Sequence, residues 1–235
     1  MNTLLKHLYA FVSALADLVF PHLCYACAQK NIYKKDLFCV RCQHHLPESD
    51  QHLQQDNIFT RRFWGLIPIV GGAALYLYRK GGLVQHIIHQ FKYQGKKEIG
   101  LRLGEYYGSK LLHSTHFQTI DAIVPVPLHK TKQRWRGYNQ SEQFAYGLSN
   151  SMNKPAVNLL IRVKNTATQT KKDVLDRHEN VEKIFQFAPN RMVPPGAHIL
   201  LVDDVLTTGA TLEACAKVLI AQHYKVSMAT VAIAI

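Results

Sequence analysis

Residues 198–211, HILLVDDVLTTGAT, constrain the fold more than any other stretch of this chain. Ile199–Val202 is an unbroken apolar run, which suits a strand over His198–Val202 buried on both faces. A Thr- and Gly-rich turn follows, and then a helical pattern over Thr211–Gln222. A doubly buried strand feeding a helix is the repeating unit of a parallel sheet flanked by helices. The alternation recurs along the chain. Strands are expected at Val70–Tyr78, Ile120–Val126, Val157–Val163 and Val226–Ile235. Helices are expected at Gly82–Tyr93, Lys97–Leu112 and Asn139–Met152. The fold class is therefore α/β. Ligands of such sheets sit beyond the carboxyl ends of the strands, so function is sought in the residues just after each strand.

The 235 residues suit one domain or two. With 47% hydrophobic and 19% charged residues, the composition supports a core and excludes a disordered or collagen-like chain. A formal net charge of +12 asks for a polyanionic partner, whether nucleic acid, phosphorylated small molecule or anionic membrane. The excess is uneven. Residues 61–102 carry +7 and Leu128–Arg136 carry +4, whereas residues 1–60 are neutral and 193–235 carry −1. The longest apolar candidate for a membrane span, Leu4–Phe20, contains Lys6, His7 and Asp17, which a bilayer core does not accept cheaply. Its Leu4, Leu8, Phe11, Val12, Leu15 and Leu18 fall at helical spacing, so an amphipathic helix packed on the protein is expected there.

Cys24-x-x-Cys27 and Cys39-x-x-Cys42 are separated by eleven residues. Two such knuckles bring four thiolates to one tetrahedral Zn²⁺ site, and a closed Cys₄ set leaves no open position for chemistry. The spacer is shorter than the usual ribbon spacing of about 15–20 residues, which favours a compact finger. Such a finger has almost no core, so metal binding would supply its folding free energy. Two disulfides are the competing reading. The chain shows no secretory signal, which argues against them and makes the cytoplasm the expected compartment. An iron–sulfur cluster usually has other spacings, and His22, His44 and His45 are alternative ligands. Cys215 reads as a small buried apolar residue. Residues 46–66 are polar and Gln-rich, then aromatic. The expected organisation is a helix and zinc finger over 1–47, a linker over 48–66 and the α/β domain over 67–235.

Asp203 and Asp204, adjacent at a strand end, are costly unless sugar hydroxyls or Mg²⁺ meet them. The turn Val205, Leu206, Thr207, Thr208, Gly209, Ala210, Thr211 offers successive N–H groups, three hydroxyls and a helix N-terminus, a cradle for a phosphate monoester. Gly209 lets the backbone approach closely. Asp and Thr are also ordinary caps, so a turn that binds nothing is the bland alternative.

Ile199–Thr211 resembles the signature with which type I phosphoribosyltransferases bind phosphoribosyl pyrophosphate: four apolar residues, two acids, two apolar residues, then Thr-Thr-Gly-x-Thr. Three further stretches resemble the ComF/GntX family of competence-associated, phosphoribosyltransferase-like proteins. They are Phe20-Pro-x-x-Cys-x-x-Cys27, Ile123–His129 with Arg136-Gly-Tyr-Asn-Gln140, and Arg162 with Thr168-Gln169, Arg177-x-x-Asn180 and Phe185. The loop Thr170–Asp173 departs from the Gly-Leu-like step expected after the Gln. The resemblance implies a type I phosphoribosyltransferase-like sheet behind a small N-terminal zinc finger. It implies that Asp203 and Asp204 hold the ribose hydroxyls and that Thr207–Thr211 hold the 5′-phosphate. It places the loop Pro127–Gly137, with His129, Lys130, Lys132, Arg134 and Arg136, where pyrophosphate and Mg²⁺ bind. Asn139 and Gln140 would orient the ligand. Arg162, Lys164, Gln169 and Arg177 would lie on a loop that closes over it. The acceptor is not legible.

The resemblance also links the chain to DNA uptake in natural transformation, with DNA-uptake helicase or recombination proteins as expected partners. The +7 segment interleaves cations with rings, as sequence-tolerant binding of single-stranded DNA requires. Arg61, Arg62, Trp64, Arg79, Lys80 and Lys92 are the candidate contacts. Core packing is the competing reading for Tyr76, Tyr78 and Phe91. A phosphoribosyltransferase acting on a small-molecule acceptor, with no DNA role, is the alternative function.

Overall fold

The computed structural model describes residues 7, 11–12, 21–30, 32–33, 36–163, 184–190 and 193–235. They fall into two units, Met1–Leu46 and Pro47–Ile235. The helix expected over Leu4–Phe20 lies outside the described residues except at His7, Phe11 and Val12, which are helical. Among the described residues no helix is long and apolar enough to cross a membrane.

In the smaller unit the chain turns tightly at each cysteine pair. The Ala28 N–H donates to the Cys24 carbonyl at 2.8 Å, and the Gln43 N–H donates to the Cys39 carbonyl at 2.9 Å. The second pair opens helix α1, Val40–His45.

In the larger unit, strands β1 (Gly72–Tyr78), β2 (Ala122–Pro125), β5 (His198–Leu206) and β6 (Lys225–Ala234) form one parallel sheet in the order β1-β6-β5-β2. Helices α2 (Leu83–Tyr93) and α3 (Lys97–Leu111) link β1 to β2, and α4 (Lys130–Arg136) and α5 (Gln140–Met152) follow β2. A short antiparallel pair, β3 (Leu160–Arg162) and β4 (Phe185–Phe187), stands apart, and α6 (Ala210–Ile220) joins β5 to β6. Strand alternation sends Ile199 and Leu201 into the core that α6 closes with Leu212, Cys215 and Leu219. Helices α3 and α5 pack together so closely that their backbones touch. A Cβ on Gly147 would lie 1.9 Å from the Leu101 carbonyl oxygen, and one on Gly104 2.3 Å from that of Phe144. Just beyond, the Tyr107 and Phe144 rings stack at 6.4 Å.

Three expectations are corrected. The strand expected over Val157–Val163 shrinks to β3, which pairs antiparallel with β4, while just before it the chain touches the parallel sheet through a bridge of Ala156 to Ile123. Strand β5 runs on through the acid pair to Leu206, because β6 continues beside it and pairs Asp203 with Thr230 and Leu206 with Ile233. On its other side β2 has ended, opposite Val202. The segment 48–66 is not a linker. Strand β1 is a sheet edge, and this segment satisfies it. The Leu77 N–H donates to the Pro47 carbonyl and the Ser49 N–H to that of Leu75, each at 2.8 Å. The Asn57 side-chain amide donates to the Gly72 carbonyl at 2.9 Å. Phe59, Phe63 and Ile67 then enter the core on the α6 side. The polar, Gln-rich composition that suggested a loose connector serves the open hydrogen bonds of an edge strand.

Substituting Gly147 by Ala is expected to destabilise the larger unit by at least about 1–3 kcal/mol, the usual cost of overpacking. Thermal or urea unfolding monitored by circular dichroism measures this, and an unchanged midpoint would contradict the close helix contact.

Candidate functional site

The site gathers at the carboxyl end of β5, where β2 no longer covers it. Alternation points Asp203 and Asp204 to opposite faces of the strand. Asp203 accepts a hydrogen bond from the Ser141 hydroxyl at the start of α5, at 2.8 Å. Asp204 is 9% exposed and pairs with the Lys92 ammonium of α2 at 2.9 Å. Burial, and next the charge of Asp204, push the Asp203 carboxyl up to about 7.

Cations from three elements converge here. The Lys132 ammonium is pushed down first by burial and then by Arg162, Arg136 and Lys92. Such mutual repulsion would be relieved by an anion placed among them. Arg136 donates to the Gln140 side-chain oxygen at 2.9 Å. The Arg136 Nε and the Gln140 side-chain nitrogen are both buried and lack an acceptor. Gln140 itself is 1% exposed. Two orphaned donors beside four cations fit an oxygen-rich ligand such as a pyrophosphate. The turn Arg136–Gln140 is held by Gly137, whose φ of 80° ends α4, and by the Tyr138 hydroxyl, which donates to the Phe91 carbonyl.

The turn after β5 presents Thr207, Thr208 and Thr211 to solvent. Gly209 adopts φ 92° as the N-cap of α6 and offers no side chain to the first amides. The Ala210 N–H meets the Thr208 hydroxyl at 3.5 Å, and amides at such a helix start can also meet an anion. Arg62 was not foreseen here. Its guanidinium donates to the carbonyls of Thr207 and Ala234, bracing the turn against the end of β6. A Cβ on Gly209 would stand 3.2 Å from the Phe63 ring, so the same segment sets the turn from below. The sequence signal for this was slight, a cation next to an aromatic in a stretch read as linker.

Several expected contacts change role. Asn139 is 2% exposed and spent internally. Its amide donates to the Val126 carbonyl at 3.0 Å and accepts the Ser141 N–H at 3.1 Å, so it shapes the start of α5. The loop Pro127–Gly137 contains helix α4, which His129 caps by accepting the Thr131 N–H at 3.2 Å. Lys130 and Arg134 are exposed on that helix. Arg162 lies over the Phe185 ring at 5.3 Å, within the electrostatic reach of Asp203. Lys164, Gln169, Arg177 and the loop Thr170–Asp173 lie outside the described residues.

The expected DNA-binding set is largely dispersed. Arg61 is clasped by Asp56 through two hydrogen bonds of 2.6 and 3.1 Å. Arg62 braces the turn, and Lys92 neutralises Asp204. Tyr76 and Phe91 are core residues. Trp64, Arg79 and Lys80 remain exposed.

In the smaller unit, the ligand atoms of Cys24, Cys27, Cys39 and Cys42 lie within 4.8 Å of one another, a set that can hold a zinc ion. All four are free thiols. The Cys39 N–H donates to the Cys24 sulfur at 3.3 Å. A hydrogen bond from the Gln29 backbone pulls the Cys27 thiol down to about 7, while burial and the neighbouring sulfurs push that of Cys42 up.

Two outcomes are expected. Elemental analysis should find one zinc per chain in the wild type, and Cys24→Ser with Cys42→Ser should lose it. Asp203 holds its proton at pH values where a free carboxylate, near 3.9, has lost it. Its contribution to stability is thus complete below about pH 4 and lost as the pH rises through about 7. The gain in melting temperature from Asp203→Asn should therefore be larger at pH 8 than at pH 4 in the ligand-free protein, and a gain independent of pH would refute the raised value.

The comparisons with known proteins agree with this geometry. A model of the phosphoribosyl transferase domain matches residues 139–234, from the start of α5 to the end of β6. Competence protein F of Haemophilus influenzae is 33% identical over 201 residues, covering 84% of this chain and 83% of its own. Competence protein ComFC of Bacillus subtilis is 29% identical, covering 84% and 78%. The DNA utilization protein YhgH of Escherichia coli K12 is 32% identical over 57% of this chain and 60% of its own. With the parallel sheet, the acid pair and the four-cysteine cluster in place, the chain belongs to the competence protein F family and carries a phosphoribosyl transferase domain.

Proposed function

We propose that the larger unit binds phosphoribosyl pyrophosphate with Mg²⁺, and that the protein acts on or with single-stranded DNA during DNA uptake. One observation carries the first half: an acid pair with a Thr/Gly turn behind it lies beside a cation cluster with two orphaned donors. Asp203 and Asp204 would take the ribose hydroxyls. The amides and hydroxyls of Thr207–Thr211 would take the 5′-phosphate. Arg136, Gln140 and Lys132 would take the pyrophosphate, with Arg162 nearby. Mg²⁺, when bound, offsets charge on the pyrophosphate. As an acceptor adds to C1 and pyrophosphate leaves, the fixed charges of Arg136 and Lys132 stabilise the departing anion. The DNA half is supported by the names of the relatives, two competence proteins and a DNA utilization protein. The engagement of Arg61, Arg62 and Lys92 within the protein favours the second reading, transfer to a small-molecule acceptor without DNA.

Calorimetry against phosphoribosyl pyrophosphate and Mg²⁺ tests the pocket. Removing two hydrogen-bonding carboxylates with Asp203→Ala and Asp204→Ala should weaken binding by roughly a hundredfold or more. Unchanged affinity would refute the assignment.

A further inference from the structure

Helix α4 buries none of its seven residues. It carries Trp135 at its surface, 72% exposed, beside Tyr93 of α2, 51% exposed. The Trp135 and Tyr93 rings meet edge to face at 5.8 Å, and His89, one helical turn earlier, lies 5.0 Å from Tyr93. Three exposed rings thus form one continuous ladder. A single exposed aromatic is ordinary on a protein surface. A ladder is not, least of all on a helix with no core to fill, where a polar residue would leave the fold unchanged. On the α4 side of the ladder the charge has one sign: Leu128–Arg136 holds four cations and no acid. Arg136 joins the ladder to the pocket, its guanidinium 5.3 Å from the Tyr93 ring and hydrogen-bonded to Gln140.

We propose that the His89–Tyr93–Trp135 ladder is the docking surface for single-stranded DNA, its bases stacking on the rings and its phosphates meeting Lys130 and Arg134. This rests on the DNA half of the proposed function and moves the contact away from Arg61 and Arg62. Planar faces among cations match a chain of alternating rings and phosphates, and every base has a face to stack, so binding is tolerant of sequence. A duplex keeps its base faces covered. An acidic peptide would match the charge but bring no rings.

Trp64 and Trp135 are the two tryptophans of the chain, so Trp64→Phe makes Trp135 the sole reporter. A labelled oligodeoxythymidylate should bind the wild type in anisotropy titrations and quench Trp135 emission in the Trp64→Phe variant. Trp135→Ala should weaken binding about tenfold or more, with Trp135→Phe restoring most of it. Binding of phosphoribosyl pyrophosphate to Trp135→Ala, read by calorimetry, should stay at the wild-type level. Its melting temperature checks that the exposed position leaves the fold intact. The ladder is overturned if Trp135→Ala binds the oligonucleotide as the wild type does, if saturation leaves Trp135 emission unchanged, or if duplex DNA or polyglutamate competes equally well. If the wild type takes up phosphoribosyl pyrophosphate but no oligonucleotide, the DNA half falls together with the ladder and the pocket assignment stands.

Discussion

Two neighbouring carboxylates at the exit of a buried strand are the constraint on which the larger unit is arranged. The Asp203 side chain is not readily ionised there, because burial and the neighbouring charge of Asp204 both act against it. The protein answers on both faces of β5. Lys92 meets Asp204, the Ser141 hydroxyl meets Asp203, and Arg162 and Lys132 add positive potential nearby. Helices α2 and α5 and strand β3 lie where they do in part because each supplies one of these groups. The balance is incomplete in the ligand-free protein, as the high Asp203 value shows. Structures that leave such a cost standing commonly do so at sites of function.

The net charge takes on a different meaning in this light. Part of the +7 block serves the fold: Arg61 closes on Asp56, Arg62 on two carbonyls and Lys92 on Asp204. A count of cations along the chain cannot separate those that meet solvent from those already bound. The +4 of Leu128–Arg136 divides as well, with Lys132 and Arg136 turned toward the pocket and Lys130 and Arg134 toward solvent.

The parallel sheet was legible because its strands are apolar runs buried on both faces, and its helices keep helical spacing. The acid pair and the Thr/Gly turn were legible as local chemistry, since the atoms that act are consecutive in sequence. So was the cysteine set, as two knuckles in one short stretch. What escaped were contacts between distant residues. Nothing local in Asn57 or Ser49 says that it will pair with an edge strand, and nothing in Asn139 says that its amide will meet Val126 and Ser141. Helix α4 escaped for the opposite reason: it is held by its caps and by rings on its surface, and has no apolar face to reveal it.

The edge cap has a consequence for how far this fold can be divided. Residues 47–66 cover β1 and, through Arg62 and Phe63, hold the Thr/Gly turn of a site formed more than a hundred residues later. A fragment beginning at the first strand would keep every residue of the acid pair and the turn. It would still expose an unpaired strand edge to other copies of itself, and the turn would lose its brace. The smallest piece that keeps both the paired edge and the braced turn therefore starts at Pro47, where the larger unit itself begins.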